Sequence, residues 1–171
     1  MGLFTSKNLD SLETLFVDQI EDLYDAEQRL TQALPKMAEA AHSGALKAAF
    51  QQHLRETQNQ ISRLEKVFQM LGRQSHRQTC YAMKGLIEEG SEVLSATGDE
   101  NVKDAALIAA AQRVEHYEIS GYGTARTFAQ RLGHNQAAQL LQETLDEEAA
   151  TDKKLTALAE QQVNRQAAMS T

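Results

Sequence analysis

Apolar side chains recur along most of this chain at steps of three and four residues, the spacing that lines one face of an α-helix. From about Leu9 to Ala41 the stripe reads Leu12, Phe16, Ile20, Leu23, Leu30, Leu34, Met37 and Ala41. Its single step of seven, between Leu23 and Leu30, holds Glu27 on the same face. Pro35 falls inside this predicted helix and is expected to kink it. His42-Ser43-Gly44 breaks the pattern. A second helix, about Ala45 to Leu71, carries Leu46, Phe50, His53, Thr57, Ile61, Leu64, Phe68 and Leu71, and stops at Gly72. Between two polar stretches lies a shorter helix, about Cys80 to Ala96. A third long helix spans about Val102 to Leu132 and ends at Gly133. Asn135 is the expected N-cap of a fourth, which runs to about Arg165.

Four long helices in two tight hairpins, 9–72 and 102–165, are thus joined by a crossover over 73–101, with a frayed tail over 166–171. Short loops throughout would give an up-down-up-down bundle. One long middle connection instead lets the second and third long helices run parallel. The expected fold is all-α, a ferritin-like four-helix bundle in a single domain, with a short fifth helix in the crossover. Composition agrees: one Pro and nine Gly are too few turn residues for a many-stranded barrel or sandwich. At 171 residues the chain can bury a core without disulfides.

The carboxylates then acquire positions. In an antiparallel hairpin, residues equally far from the turn share a level. Glu27 and Glu56 are centred on the first turn, Glu118 and Glu147 on the second, and each pair is 29 residues apart (27 to 56, 118 to 147). All four then lie about 21 Å from their turns, at one level of the bundle. Glu115, one helical turn before Glu118, shares its otherwise apolar or small face, and His53 lies at the centre of the second stripe. On the fourth helix Glu148 points more directly at the face of Leu141, Leu145 and Leu155, and Glu147 to one side, so which of the two faces the interior stays open. Carboxylates in an apolar interior need compensation. Either they bind divalent cations, where oxygen ligands suit iron or manganese and imidazole adds affinity, or some stay protonated and bond one another.

Charge and the remaining motifs narrow the classes. The 24 acidic against 17 basic side chains, net −7, argue against a nucleic-acid partner. No apolar run reaches membrane-span or signal-peptide length, and one cysteine, Cys80, suits a reducing cytoplasm. Cys80 reads as a packing residue. Gly2 and Ser6 fit a myristoylation pattern only loosely, and a plain start ahead of a helix is the preferred reading. Tyr24, Tyr117 and Tyr122 fall near the level of the carboxylates, and Gly121 with Ala125 would let another helix approach closely.

Three runs carry a resemblance: Cys80 to Gly90, Asp104 to Ile119 and Glu143 to Asp152. With Asp25-Ala26-Glu27 and the segment His53 to Thr57, they closely resemble the bacterial YciF stress proteins of the ferritin-like superfamily. The resemblance implies a cytoplasmic helical homodimer tied to stress and related to rubrerythrin-like di-iron proteins, with iron, two ions per chain, or else manganese or zinc. In that superfamily each hairpin supplies a Glu from its first helix and a Glu-x-x-His from its second. Glu27 and Glu118 match the first-helix ligands, and Glu56 and Glu147 the second-helix ones. The expected His are replaced by Asn59 and Ala150. His53 would substitute for one of them, and Glu115 would add the extra carboxylate found in rubrerythrins. Two functions are expected from this: a dinuclear centre handling oxygen, peroxide or iron, or a non-enzymatic helical stress protein with a metal-free vestige of it.

Overall fold

The computed structural model describes residues 9–170; the Gly2 and Ser6 pattern lies outside the described residues. Among the described residues six α-helices follow one another: α1 (Leu12–Ala40), α2 (Gly44–Met70), α3 (Tyr81–Ser95), α4 (Glu100–Arg131), α5 (Asn135–Leu158) and, after a π-helical turn at Ala159–Val163, α6 (Asn164–Ala167). Side chains close the helix starts. Ser11, Ser43 and Asp99 accept backbone N–H groups in the first turns of α1, α2 and α4, satisfying donors that a helix start leaves orphaned. Gly72 and Gly133 take φ of 67° and 80°, and the following N–H groups, of Arg73 and His134, bond back to Phe68 and Ala129.

That closure of α4 corrects one expectation. It consumes Gly133 and His134 as the whole turn, so α5 begins at Asn135, which stands inside the helix rather than capping it. The helix is preceded by His134, whose side chain makes no capping bond. The chain also stays helical past Arg165, through Ala167, because Ala159 and Val163 of the π-turn are buried against the core. Pro35 does not end α1, which continues to Ala40.

Contacts between helices fix the topology. Along α2, Gln52, Glu56, Gln60 and Arg63 meet Lys154, Thr151, Glu147 and Thr144 of α5 in turn, so these helices run antiparallel. Along α1, Glu13, Glu27 and the turn at His42 meet His134, Tyr122 and Asp104, so α1 and α4 are antiparallel as well. Because α1 is antiparallel to both α2 and α4, those two are parallel, and the crossover must travel the length of the bundle. It carries α3, which packs on α1 and α4. This is the ferritin-like four-helix bundle.

Two buried carboxylates tie the connections down. Asp104 accepts the N–H groups of His42 (2.9 Å) and Ser43 (2.6 Å), pinning the α1–α2 turn to the start of α4. Asp25 on α1 accepts the N–H of Cys80 (2.8 Å), Arg29 Nε (2.5 Å) and Arg77 Nη2 (2.8 Å), pinning the crossover. Cys80 itself is buried with its Sγ 3.1 Å from the Tyr117 hydroxyl, which donates to Asp22. Burial pushes the Cys80 thiol up to about 11, which keeps it protonated and unreactive.

Two apolar clusters fill the bundle, one around Leu30, Phe50, Met83 and Leu107, the other around Phe16, Leu23, Phe68 and Leu141. Gly121 permits the second to close: a Cβ there would stand 2.8 Å from Leu23 Cδ2, so α1 and α4 approach through it. Between the two clusters, at mid-height, lies a polar layer.

Candidate metal centre

Each long helix sends side chains into that layer. Glu27 comes from α1, His53 from α2, Glu115 and Glu118 from α4, and Glu148 from α5. All five are at most 3% exposed. Helical geometry explains the arrangement: Glu115 and Glu118 are one turn apart on one face, and Glu27 and His53 replace apolar residues in stripes that face the interior. His53 Nε2 lies 3.3 Å from Glu115 Oε1 and 3.9 Å from Glu148 Oε2. One ligand atom each from His53, Glu115, Glu118 and Glu148 lie within 4.8 Å of one another. Glu27 stands beside this group, and the Tyr122 hydroxyl donates to its Oε1 at 2.6 Å.

The layer is under strong electrostatic tension. Burial, then the neighbouring Glu27 and Glu148 charges, push Glu118 well above the usual carboxylate range. Burial and Glu115 do the same to Glu148. Burial lifts Glu27 to about 8, although the Tyr122 hydrogen bond and His53 partly oppose it. Burial alone would lower the His53 imidazole, but the Glu115, Glu56 and Glu148 carboxylates together outweigh it and hold the ring well above its ordinary value. Apart from the Tyr122 bond to Glu27, hydrogen bonds do not relieve the tension. Glu27 Oε2, both His53 nitrogens, Glu115 Oε2 and all four oxygens of Glu118 and Glu148 are buried without a hydrogen-bond partner. Buried polar atoms are nearly always partnered, so eight orphaned atoms in one layer fit a group that accepts oxygen and nitrogen lone pairs. A divalent cation is such a group.

Four of the six residues expected here come together: Glu27, His53, Glu115 and Glu118. Glu147 does not join them. Its carboxylate takes two 2.6 Å bonds from Arg63, with Gln60 adding a third at 3.1 Å, and it points along the α2–α5 seam. Glu148, one residue on, is the α5 carboxylate inside. Consecutive helical residues differ by about 100° in direction, and the Leu141 and Leu155 face that turns inward carries Glu148 with it. Glu56 also lies at the margin, half-buried, bonded to Gln52 (2.8 Å) and with Oε2 3.7 Å from His53 Nδ1. Gln52 and the His53 imidazole hold its carboxyl below the usual range, the imidazole more strongly. Of the three tyrosines only Tyr122 reaches the layer; Tyr24 donates to Glu65 and Tyr117 to Asp22. Arg63, which locks Glu147 outside, gave no sequence signal, since an arginine on a helix flank is ordinarily solvated.

A four-helix bundle with a full-length crossover and a mid-height layer of buried carboxylates and imidazole is a ferritin-like protein with a candidate metal centre. Residues 11–168 match the family described as Domain of unknown function (DUF892), and the chain belongs to that family. It is 50% identical to Protein YciF of Escherichia coli over 161 residues, covering 94% of this chain and 97% of that protein. The crystal structure of that E. coli stress protein superposes with a TM-score of 0.87 over 91% of this chain and 98% of the other. YcfI of Rhodopseudomonas palustris is 43% identical with a TM-score of 0.86, over 90% and 98% of the two chains. A Xanthomonas campestris protein shares the fold at 21% identity and a TM-score of 0.71, over 90% and 94%.

Proposed function

We propose that this protein is a stress-associated metalloprotein of the bacterial cytoplasm, a homodimer whose bundle core holds iron, with manganese or zinc as the other candidates. The orphaned atoms of the polar layer carry this reading, because burying that many carboxylates without a cation is costly. His53, Glu115, Glu118 and Glu148 would hold one ion, and Glu27, whose charge acts strongly on Glu118, offers further oxygens for a second. A redox-active ion there would supply electron exchange with oxygen, peroxide or ferrous iron. The chain's own contribution is to exclude water from above and below with the apolar clusters, to fix His53 against Glu115, and to aim the Tyr122 hydroxyl proton at Glu27. The stress association rests on the half-identical E. coli stress protein. No helix among the described residues is long and apolar enough to cross a membrane.

Elemental analysis tests the reading. Protein purified without chelator, or reconstituted with ferrous iron or manganese and desalted, is expected to retain at least about one ion per chain, as a four-donor site of this chemistry should. Metal at background level after reconstitution contradicts it.

A further inference from the structure

The seam between α2 and α5 opens toward the polar layer. A cavity of about 120 Å³ enters there, room for several waters. Its walls include the small side chains of Ala49, Ala150 and Thr151 beside Phe50 and Leu155, and the buried His53 and Glu115 lie at its inner end. The seam is bridged on either side: by the Arg63–Glu147 pair in one direction and by Lys154 Nζ on Gln52 Oε1 (2.7 Å) in the other. The α1–α4 seam, in contrast, is closed where Leu23 lies on Gly121.

His53 spans the inner end of this opening. Its Nε2 faces Glu115 and Glu148 in the layer, while its Nδ1 faces Glu56. The ring is 3% exposed, and neither nitrogen has a hydrogen-bond partner. Glu56 bridges the rest of the distance. One of its oxygens is held by the exposed Gln52, and the other lies 3.5 Å from Thr151 Oγ1 as well as near His53. The charges at the mouth are uneven. Arg63 is held by the bidentate Glu147 and also faces Glu143, whereas the Lys154 ammonium is bonded to the neutral Gln52 amide and acts at a distance on the Glu56 carboxylate beside the opening.

We infer that the α2–α5 opening is the entry route by which a divalent cation reaches the polar layer, with Glu56 the ligand that receives it and passes it to His53, and Lys154 the charge that slows its entry. This rests on the metal-centre reading above. It also gives Glu56, which stands at the margin of the layer, a role that its position suits: an ion held there has the unpartnered Nδ1 next to it. No bond forms or breaks in the transfer other than the exchange of ligands around the ion.

Cobalt(II) uptake by the metal-stripped full chain tests the inference, followed by visible absorption in a stopped-flow cell, with equilibrium dialysis giving the final content. Ala150→Leu, at an exposed position that narrows the opening, is expected to slow uptake about tenfold at unchanged final content. Glu56→Gln should slow uptake and release alike, leaving the dissociation constant within about threefold, whereas Lys154→Gln should speed uptake several-fold. Melting curves for the three variants establish that each is folded. Unchanged rates in Ala150→Leu and Glu56→Gln with full content overturn the route and leave the centre standing. A Glu56→Gln protein that loses equilibrium affinity instead of speed overturns the transfer role and makes Glu56 a resident ligand. If the stripped parent takes up no cobalt, the metal-centre reading itself fails, and the route with it.

Discussion

Manganese(II), supplied at about a thousand times its dissociation constant, raises the melting temperature of the metal-stripped protein by roughly 10 °C, and Glu118→Gln abolishes the rise. The magnitude follows from linkage. A ligand that binds only the folded chain stabilises it by about 4 kcal/mol at that excess, and each kcal/mol moves the transition of a domain this size by about 2–4 °C. The donors come from α2, α4 and α5, so unfolding disperses them and the unfolded chain has no comparable site. Glu118 is the sharpest place to cut, because both its oxygens are buried and unpartnered. Stripped of metal, the substituted protein should melt no lower than the stripped parent, since the change removes a carboxylate that burial and Glu27 already disfavour as an anion. The competing reading, a metal-free vestige, predicts no response to manganese and a further gain in stability when Glu27→Gln is combined with Glu118→Gln. Differential scanning calorimetry with and without manganese separates the two.

Asp25→Ala is expected to cost about 3 kcal/mol, a fall of roughly 6–12 °C in melting temperature, with or without metal. The Asp25 side chain is 4% exposed and accepts from Arg29, Arg77 and the Cys80 amide at once. Removing it leaves the Cys80 N–H buried without its partner and frees the crossover from α1. The pH dependence has a definite sign. Burial pushes the Asp25 carboxyl up, but Arg29, the Cys80 N–H and Arg77 outweigh it and hold the group below its ordinary value. A carboxyl lowered by folding contributes its stability above the unfolded pKa, about 3.9, and loses it as pH falls through the lower folded value. The parent should therefore lose more stability than Asp25→Ala on acidification below about pH 4. Equal losses in the two proteins would remove Asp25 as the anchor of the crossover.

The helices and their pairing were legible because each apolar stripe keeps the helical period almost without interruption, and the crossover because a long polar-flanked segment separates two tight hairpins. The height of the polar layer was legible too, since distance from a hairpin turn is counted in residues. Azimuth is another matter. Equal spacing about the turns placed Glu147 and Glu56 at the right level, but the level does not say which way a side chain points. Arg63 and Gln52, both from α2, hold these carboxylates at the seam. Glu148 could be favoured from its leucine face but not chosen, because the partner that holds Glu147 outside is 84 residues from it (63 to 147). Asp25 carried part of the resemblance but no sign of its burial, for a different reason. It lies off the apolar stripe and is buried only because the crossover folds over that side of α1, a contact that no local period records. Asn135 shows the same limit at smaller scale: its preference for caps was overridden by the closure of the preceding helix.

Crystals soaked in manganese(II) or grown from iron-loaded protein show whether the mid-height layer of the bundle is a metal centre. Anomalous difference maps on either side of the metal's absorption edge are predicted to show a peak enclosed by His53, Glu115, Glu118 and Glu148. Full occupancy of metal elsewhere with no peak inside that cluster, or no bound metal at all, would contradict the account.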